Sequence, residues 1–177
     1  MVLNKKPADH KKKVTYRDLI EDAAWLTEEL ESLKCILPEL PYSDRPMGQE
    51  SILDILAKIG AAHEQFFTPL INNLQTGGEG ESSVENIDFE TLQANQATFG
   101  DDPLKLLDKL ISQRLSLVAT LEKLDESAIH GMISLKTGDT DVFTLINRMI
   151  LFDRSQLKKV AERMLAMDAE RHVPGER

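Results

Sequence analysis

A stretch without glycine or proline, residues 139–167, most constrains how this chain can fold. Its first residues, Asp139, Thr140 and Asp141, can each cap a helix by accepting a hydrogen bond from a free backbone N–H. Apolar residues then recur at intervals of three and four, which places them on one helical face. They are Val142, Leu145, Ile146, Met149, Val160, Met164 and Met167. The pattern predicts one long amphipathic helix from Asp139 to Met167.

Three further segments show the same apolar spacing and predict three more helices. Pro38 and Pro41 end the first, and Pro69 lies inside the second, which it is expected to kink or end early. An Asp cap before Pro103, at the first helical position, marks the start of the third. The predicted ranges are Thr15–Leu37, Ser51–Leu74 and Pro103–Leu124.

Four long amphipathic helices without an alternating strand pattern predict an all-α four-helix bundle. The connections within the first and second helix pairs are shorter than the central one, which favours two docked helical hairpins. Gln75–Ser83 reads as a loop, and short extra helices are expected at Ile87–Asn95 in the central connection and at Glu126–Ile129. The predicted organisation is a basic tail (1–14), one domain (15–168) and a frayed tail (169–177).

The formal net charge of −9 hides an asymmetry between the first residues and the rest. Six basic side chains stand among residues 1–17 against Asp9 alone, and they are Lys5, Lys6, Lys11, Lys12, Lys13 and Arg17. We interpret this tail as a solvated terminus, with an arm for an anionic partner as the alternative. The remaining domain is strongly acidic, so we expect it to bind no nucleic acid.

The chain has one cysteine, Cys35, which excludes an intrachain disulfide and a Cys-x-x-Cys motif. We expect Cys35 to be a small core residue rather than a nucleophile. No apolar run approaches the length of a membrane span, and the basic N-terminus lacks the apolar core of a signal peptide. The sequence therefore predicts a cytoplasmic protein that does not enter a membrane.

Two segments resemble the DinB/YfiT-like superfamily of four-helix bundles. They are SILDILAKIGAAHEQFF in helix two and the pattern L-I-x-x-x-I-x-x-D-R-x-x-L-x-x-V in helix four. The resemblance covers most of the chain, from helix one to about Met164. It implies the bundle fold, a homodimer that pairs through helix faces, and an activity among the metal-dependent hydrolases or thiol-dependent S-transferases of that superfamily.

The resemblance also implies where a metal would bind, and this chain departs from the family there. The helix-two histidine of the family falls on Lys58, its two helix-four histidines fall on Phe152 and Gln156, and its tryptophan before the serine falls on Glu50. Divalent transition metals prefer imidazole or carboxylate ligands, which Lys58, Phe152 and Gln156 do not offer. We therefore expect a metal-free member without a cofactor, in which the Lys58 ammonium takes over the electrostatic role of the cation.

Two polar residues on the apolar faces are the remaining candidates for chemistry. His63 lies in the apolar stripe of helix two, and Asp153 lies on the inner side of helix four, where a buried carboxylate needs a partner. We predict that the two face one another as a hydrogen-bonded pair, which either fixes the helix register or makes His63 a general base oriented by Asp153. Glu64 is expected to reach solvent or to act as the counter-charge of Lys58.

Three functions follow from these residues. The first is a non-catalytic bundle that binds a small or apolar ligand, or a partner chain, in a pocket formed by Lys58, Phe152, Gln156 and Glu64. The second is a hydrolase or thiol-dependent transferase with a shifted site at His63 and Asp153. The third is a structural or regulatory homodimer, which an exposed apolar residue on helix four would favour.

Overall fold

The computed structural model describes residues 14–45, 48–75, 102–135 and 138–171, and it is an all-α four-helix bundle, as predicted. The second long helix consists of α2, a π-helical segment and α3. The expected helix Ile87–Asn95 and residues 76–83 of the expected loop lie outside the described residues. The elements are α1 (Tyr16–Ile36), a 3-10 turn (Leu37–Glu39), α2 (Ile52–Ala62), the π segment (His63–Phe67), α3 (Thr68–Gln75), α4 (Pro103–Leu121), α5 (Glu126–Ile129), β1 (Met132–Leu135), β2 (Gly138–Asp141) and α6 (Val142–Arg171).

Helix α1 begins at a capping box. Thr15 accepts from the backbone N–H of Asp18, and the Asp18 carboxylate accepts from the Thr15 backbone in return. The hydroxyl of the next residue, Tyr16, donates to the carbonyl of Leu121 at 2.8 Å, which ties the start of α1 to the end of α4. Burial of this hydroxyl raises the pKa of Tyr16 to about 12.

A second capping box starts α2, and an arginine reinforces it. Ser51 and Asp54 exchange hydrogen bonds at 2.7 to 3.0 Å, and Arg45 donates to both Asp54 oxygens at 2.7 Å. Burial alone raises the pKa of Asp54, but the bonds from Arg45 and Ser51 outweigh it and lower the pKa from 3.8 to about 2. The ionised carboxylate therefore fixes the orientation in which the chain enters α2.

The depressed pKa of Asp54 predicts an acid-dependent contribution to stability. Because the folded pKa lies below the unfolded one, the contribution is present above about pH 4 and is lost as the pH falls towards 2. We expect Asp54→Asn to lower the free energy of unfolding by about 1–2 kcal/mol near neutral pH. Urea unfolding at pH 7 and near pH 2.5 measures it, and an equal loss at both values would contradict the account.

The π segment accommodates Pro69, which was expected to kink the second long helix or end it early. Proline lacks the N–H that an α-helix uses at this position and cannot continue a regular helix. The chain widens by one residue before it, where the N–H of Thr68 donates to the carbonyl of His63, and then continues as α3. The helix neither ends nor loses its inward face, because Phe66, Phe67 and Leu70 all remain buried.

The predicted N-terminus of helix four is wrong by three residues, because residues 138–141 form a strand. Strands β1 and β2 pair antiparallel, with Ile133 opposite Thr140, and both of these side chains are buried. Gly138 has φ +122°, a conformation that side chains other than glycine rarely adopt. The helix then starts at Val142, where Asp141 accepts from the backbone N–H of Thr144 at 2.5 Å. It runs past the expected end at Met167 because no proline intervenes before Arg171.

The prediction of two docked helical hairpins is also wrong. The main contacts join α1 with α4 and α2 with α6, and smaller ones join α1 with α6 and α2 with α4. The first and second long helices, and likewise the third and fourth, therefore occupy diagonal corners of the bundle, whereas the second and third are neighbours. Short loops favour neighbouring antiparallel helices, and the connections from α1 to α2 and from α4 to α6 are long enough to reach the diagonal corner.

The core consists of two apolar clusters, one at each end of the bundle. The first centres on Phe66, Phe67 and Ile146, and the second on Ile52, Leu107 and Val160. Along α2, α4 and α6, the residues of one cluster give way to those of the other near the middle of the helix. The buried polar residues of these helices occur at or next to this change, so a polar layer crosses the bundle between the clusters.

Candidate functional site

The polar layer contains five side chains, each buried to at least nine-tenths of its surface. Lys58 and His63 come from the second long helix, Arg114 from α4, and Asp153 and Gln156 from α6, with relative exposures from 1% to 6%. Burying charged groups is costly unless each finds a partner. The contacts within the layer therefore decide what it can do.

The predicted pairing of His63 with Asp153 is confirmed. His63 Nε2 lies 3.1 Å from Oδ1 and 3.0 Å from Oδ2 of Asp153. The sequence reasoning missed a third member: Arg114 donates through Nη2 to Asp153 Oδ2, and this nitrogen also lies 3.0 Å from His63 Nε2. A charged residue on the otherwise apolar stripe of Leu107, Leu110 and Leu121 was the signal that could have revealed it.

Asp153 and Arg114 compete for one nitrogen atom of His63. When Nε2 carries the proton and donates to Asp153, it offers no lone pair to Arg114. When Nε2 is unprotonated it can accept from Arg114 but cannot donate to Asp153. The geometry with two Asp153 oxygens near Nε2 favours the first arrangement, so the ring is held by its carboxylate contact.

Asp153 is the carboxylate on which the layer depends. Burial is the largest influence and raises its pKa, but the charges and hydrogen bonds of His63 and Arg114 together exceed it, so the pKa of Asp153 lies below its ordinary value. Asp153 is therefore ionised in the core and balances the Arg114 guanidinium. This ion pair carries no net charge.

Two atoms in the layer have no hydrogen-bond partner. Arg114 Nη1 and Gln156 Oε1 are buried and unpaired, while the Gln156 amide donates only to Ser155 Oγ at 3.2 Å. Gln156 lies one helical turn after Asp153, so both project from the same face of α6. The layer thus retains one unused donor group and one unused acceptor.

Lys58 has a carboxylate partner, but it is Glu50 and not Glu64. Its ammonium lies 2.5 Å from Glu50 Oε1, and Glu50 is partly exposed at the start of α2. Glu64 instead accepts from Lys109 at 2.6 Å and from Gln113 at 2.9 Å. Glu64 is therefore not the counter-charge of Lys58, and its side chain, which is 32% exposed, also reaches solvent as expected.

Two of the three positions that the resemblance assigns to the metal ligands, Lys58 and Gln156, lie at one level of the bundle. Helices α2 and α6 run antiparallel, since Gln49 contacts Arg163 at one end and His63 contacts Asp153 nearer the middle. Lys58 lies between Gln49 and His63 in the sequence. Gln156 lies between Asp153 and Arg163 on α6. Phe152, one turn from Gln156, is buried, and its ring lies 6.3 Å from that of Phe67.

The donor set at this level does not suit a transition metal. It offers an ammonium paired with a carboxylate, a phenyl ring and a neutral amide, where imidazole or several carboxylates are needed. In the described ranges, no group of three or more His, Cys, Asp and Glu side chains could hold a metal ion. Cys35 offers nothing to the site either: it is exposed, contrary to the expected core position.

One solved structure matches this arrangement over nearly its whole length. It is described as "YfiT from Bacillus subtilis is a probable metal-dependent hydrolase with an unusual four-helix bundle topology", and it aligns with TM-score 0.66 over 90% of this chain and 93% of that one. The fold is that of YfiT. The identity is 12%, so the YfiT likeness establishes the architecture alone. No protein-family model and no curated protein sequence matches the chain.

The surface carries a groove that the predicted pocket residues do not line. It lies between α1 and α6 and has a volume of about 600 Å³. Its lining residues are Glu29, Leu33, Arg154, Leu157, Lys158, Val160, Ala161, Met164 and Leu165.

Within the described part of the chain, no helix is long and apolar enough to cross a membrane.

Proposed function

We propose that this chain is a metal-independent bundle of the YfiT-like fold that binds a small ligand at the level of Lys58, Phe152 and Gln156. The observation that carries the proposal is the pair of buried cations, Lys58 with Glu50 and Arg114 with Asp153. Lys58 stands at a position where the resemblance places a metal ligand, Arg114 lies in the same polar layer, and each cation is held by a carboxylate. Arg114 keeps an unpaired Nη1 donor for a ligand. Phe152 adds an apolar wall, and Gln156 adds an acceptor for a ligand N–H or O–H.

The alternative is a hydrolase or thiol-dependent transferase in which His63 acts as a general base oriented by Asp153. The distances of 3.0 to 3.1 Å between them support it. Arg114 weighs against it, because its charge already balances the carboxylate that would stabilise a protonated imidazole. Binding therefore accounts for the geometry better than turnover.

The proposal predicts that metal ions leave the stability of the protein unchanged. A metal that binds only the folded state at a hundred times its Kd adds about 2.7 kcal/mol to the free energy of unfolding. We expect the urea unfolding midpoint to stay the same in EDTA, in Zn²⁺ and in Ni²⁺. A midpoint that rises with either metal and falls in EDTA would contradict the proposal.

For the partner, we propose that a second copy of this chain covers the groove between α1 and α6. Trp25 on α1 and Leu151 and Leu165 on α6 are 59%, 56% and 71% exposed around it. The α1 wall carries Glu29 and the α6 wall carries Arg154 and Lys158. A two-fold axis would bring the acidic wall of one copy onto the basic wall of the other, so the surface complements itself.

Charge exchange tests this interface. We expect Glu29→Lys or Lys158→Glu alone to shift the mass in multi-angle light scattering from dimer towards monomer, because each variant places like charges together. The two single variants mixed, or both changes in one chain, should restore the dimer. Leu115→Glu, on an equally exposed leucine of α4, is the control and should change nothing. A monomeric parent protein at high concentration would overturn the proposal.

A further inference from the structure

Arg163 on α6 has one half of its guanidinium fixed and the other half unused. Its Nη1 donates to Gln49 Oε1 at 2.8 Å, which holds the plane of the group. Its Nε and Nη2 are buried and have no hydrogen-bond partner. These two nitrogen atoms lie on the same edge of the guanidinium, the edge that can donate two parallel hydrogen bonds to one oxyanion.

An arginine in this condition indicates an acceptor that the described residues do not supply. Buried donors without an acceptor are destabilising, and more so when the group is charged. A carboxylate or phosphate satisfies both nitrogen atoms at once, which a single water cannot do with the same geometry. The Gln49 contact also means that little side-chain entropy is lost when the oxyanion binds.

The charges around Arg163 favour a monoanion. Gln49 holds Arg163, and the next residue, Glu50, holds Lys58, so both cations meet consecutive residues at the start of α2. Two cations and one carboxylate leave this corner with one net positive charge, in a chain of net charge −9. The single negative charge of a carboxylate neutralises this positive charge, whereas a phosphate dianion would leave a net negative charge.

The residues around Arg163 favour a ligand whose carboxylate is attached to an apolar group. Val160 and Met167 flank Arg163 on the inner face of α6, and both are buried in the second apolar cluster with Ile52. Gln156, with its unpaired oxygen, lies two turns before Arg163, or about 10 Å along the helix axis. The seam between α2 and α6 therefore offers a cationic end, an apolar stretch and an acceptor, in that order.

We propose that Arg163 binds the carboxylate of a small monocarboxylic acid whose apolar part lies along the seam towards Gln156. This assignment rests on the proposed ligand-binding function and names its ligand class. Nε and Nη2 are buried, so the acid enters by displacing the groups that cover them. Glu50, which is 42% exposed, marks the solvent edge of this corner.

Calorimetric titration of the full chain with hexanoate and with benzoate tests the assignment, with hexanamide and inorganic phosphate as comparison ligands. We expect saturable binding of the carboxylates, and binding of hexanamide and phosphate at least tenfold weaker. Arg163→Gln should weaken carboxylate binding at least tenfold, and Arg163→Lys should recover part of it, because the charge returns without the paired donors. Arg148→Gln, an exposed arginine on the same helix, is the matched control and should bind as the parent does.

Three results would overturn the assignment. They are no saturable binding of either carboxylate, equal affinity for hexanoate and hexanamide, and carboxylate binding that survives Arg163→Gln in a folded variant. Circular dichroism establishes folding, and Arg163→Lys serves if the glutamine variant unfolds. These results leave the metal independence of the proposed function standing, since that part fails only on metal binding by the parent protein.

Discussion

Asp153→Ala is expected to lower the free energy of unfolding by about 3–5 kcal/mol, the largest effect of any single substitution considered for this chain. The reason is the partner left behind: Arg114 is 3% exposed and would lose the carboxylate that balances its charge. His63 would lose the acceptor that holds its ring. A domain of ordinary stability has only about 5–15 kcal/mol in total, so this variant would be near the limit of folding.

Urea unfolding of Asp153→Ala beside Asp108→Ala separates this account from a general effect of losing an aspartate. Asp108 pairs with Lys34 at 2.6 Å but is 66% exposed, and removing an exposed partner costs about 0–1 kcal/mol. Replacing both Arg114 and Asp153 by apolar residues should recover part of the loss, because no unpaired charge then remains in the core. A loss below about 1 kcal/mol for Asp153→Ala would show that the layer does not depend on its carboxylate.

The second large effect is a gain: the triple substitution Lys58→His, Phe152→His and Gln156→His should create a stoichiometric Zn²⁺ or Ni²⁺ site. Residues 152 and 156 are four apart on α6, a spacing that lets two imidazoles share one metal ion. The register of α2 against α6 places residue 58 opposite residue 156, one turn from residue 152. Three imidazoles with one open position form a common metal-binding arrangement.

A pair of surface histidines provides the control for this experiment. Lys158 and Glu162 have the same spacing on α6 and are 77% and 61% exposed, so histidines there form a two-ligand site without the third. We expect the triple variant to bind Zn²⁺ at least tenfold more tightly than Lys158→His with Glu162→His. Equal affinities would show that residues 58, 152 and 156 do not converge.

The helices were predictable from the sequence, but which of them pack against one another was not. The apolar stripes and the Asp cap before Pro103 marked the helices, because those signals are local. The diagonal arrangement was not predictable from loop length, since a long connection reaches either a neighbouring or an opposite helix. The strands at 132–135 and 138–141 are too short for alternation to distinguish them from a loop.

The buried pair of the candidate site was predictable and its partners were not. His63 and Asp153 stood out because each is a polar residue on an apolar face. Arg114 shows the same signal in α4, but its partner depends on how three helices come together, which no spacing within one helix reveals. Glu50 precedes α2 in a connecting segment, so only the fold shows that it reaches Lys58.

The metal content of the purified parent protein tests the central claim most directly. After expression with zinc and nickel supplied, elemental analysis should find well under one equivalent of any transition metal, and titration should detect no tight site. The paired cations Lys58 and Arg114 are the physical reason for this expectation. One tightly held equivalent of zinc, nickel or iron in the parent chain would contradict the account.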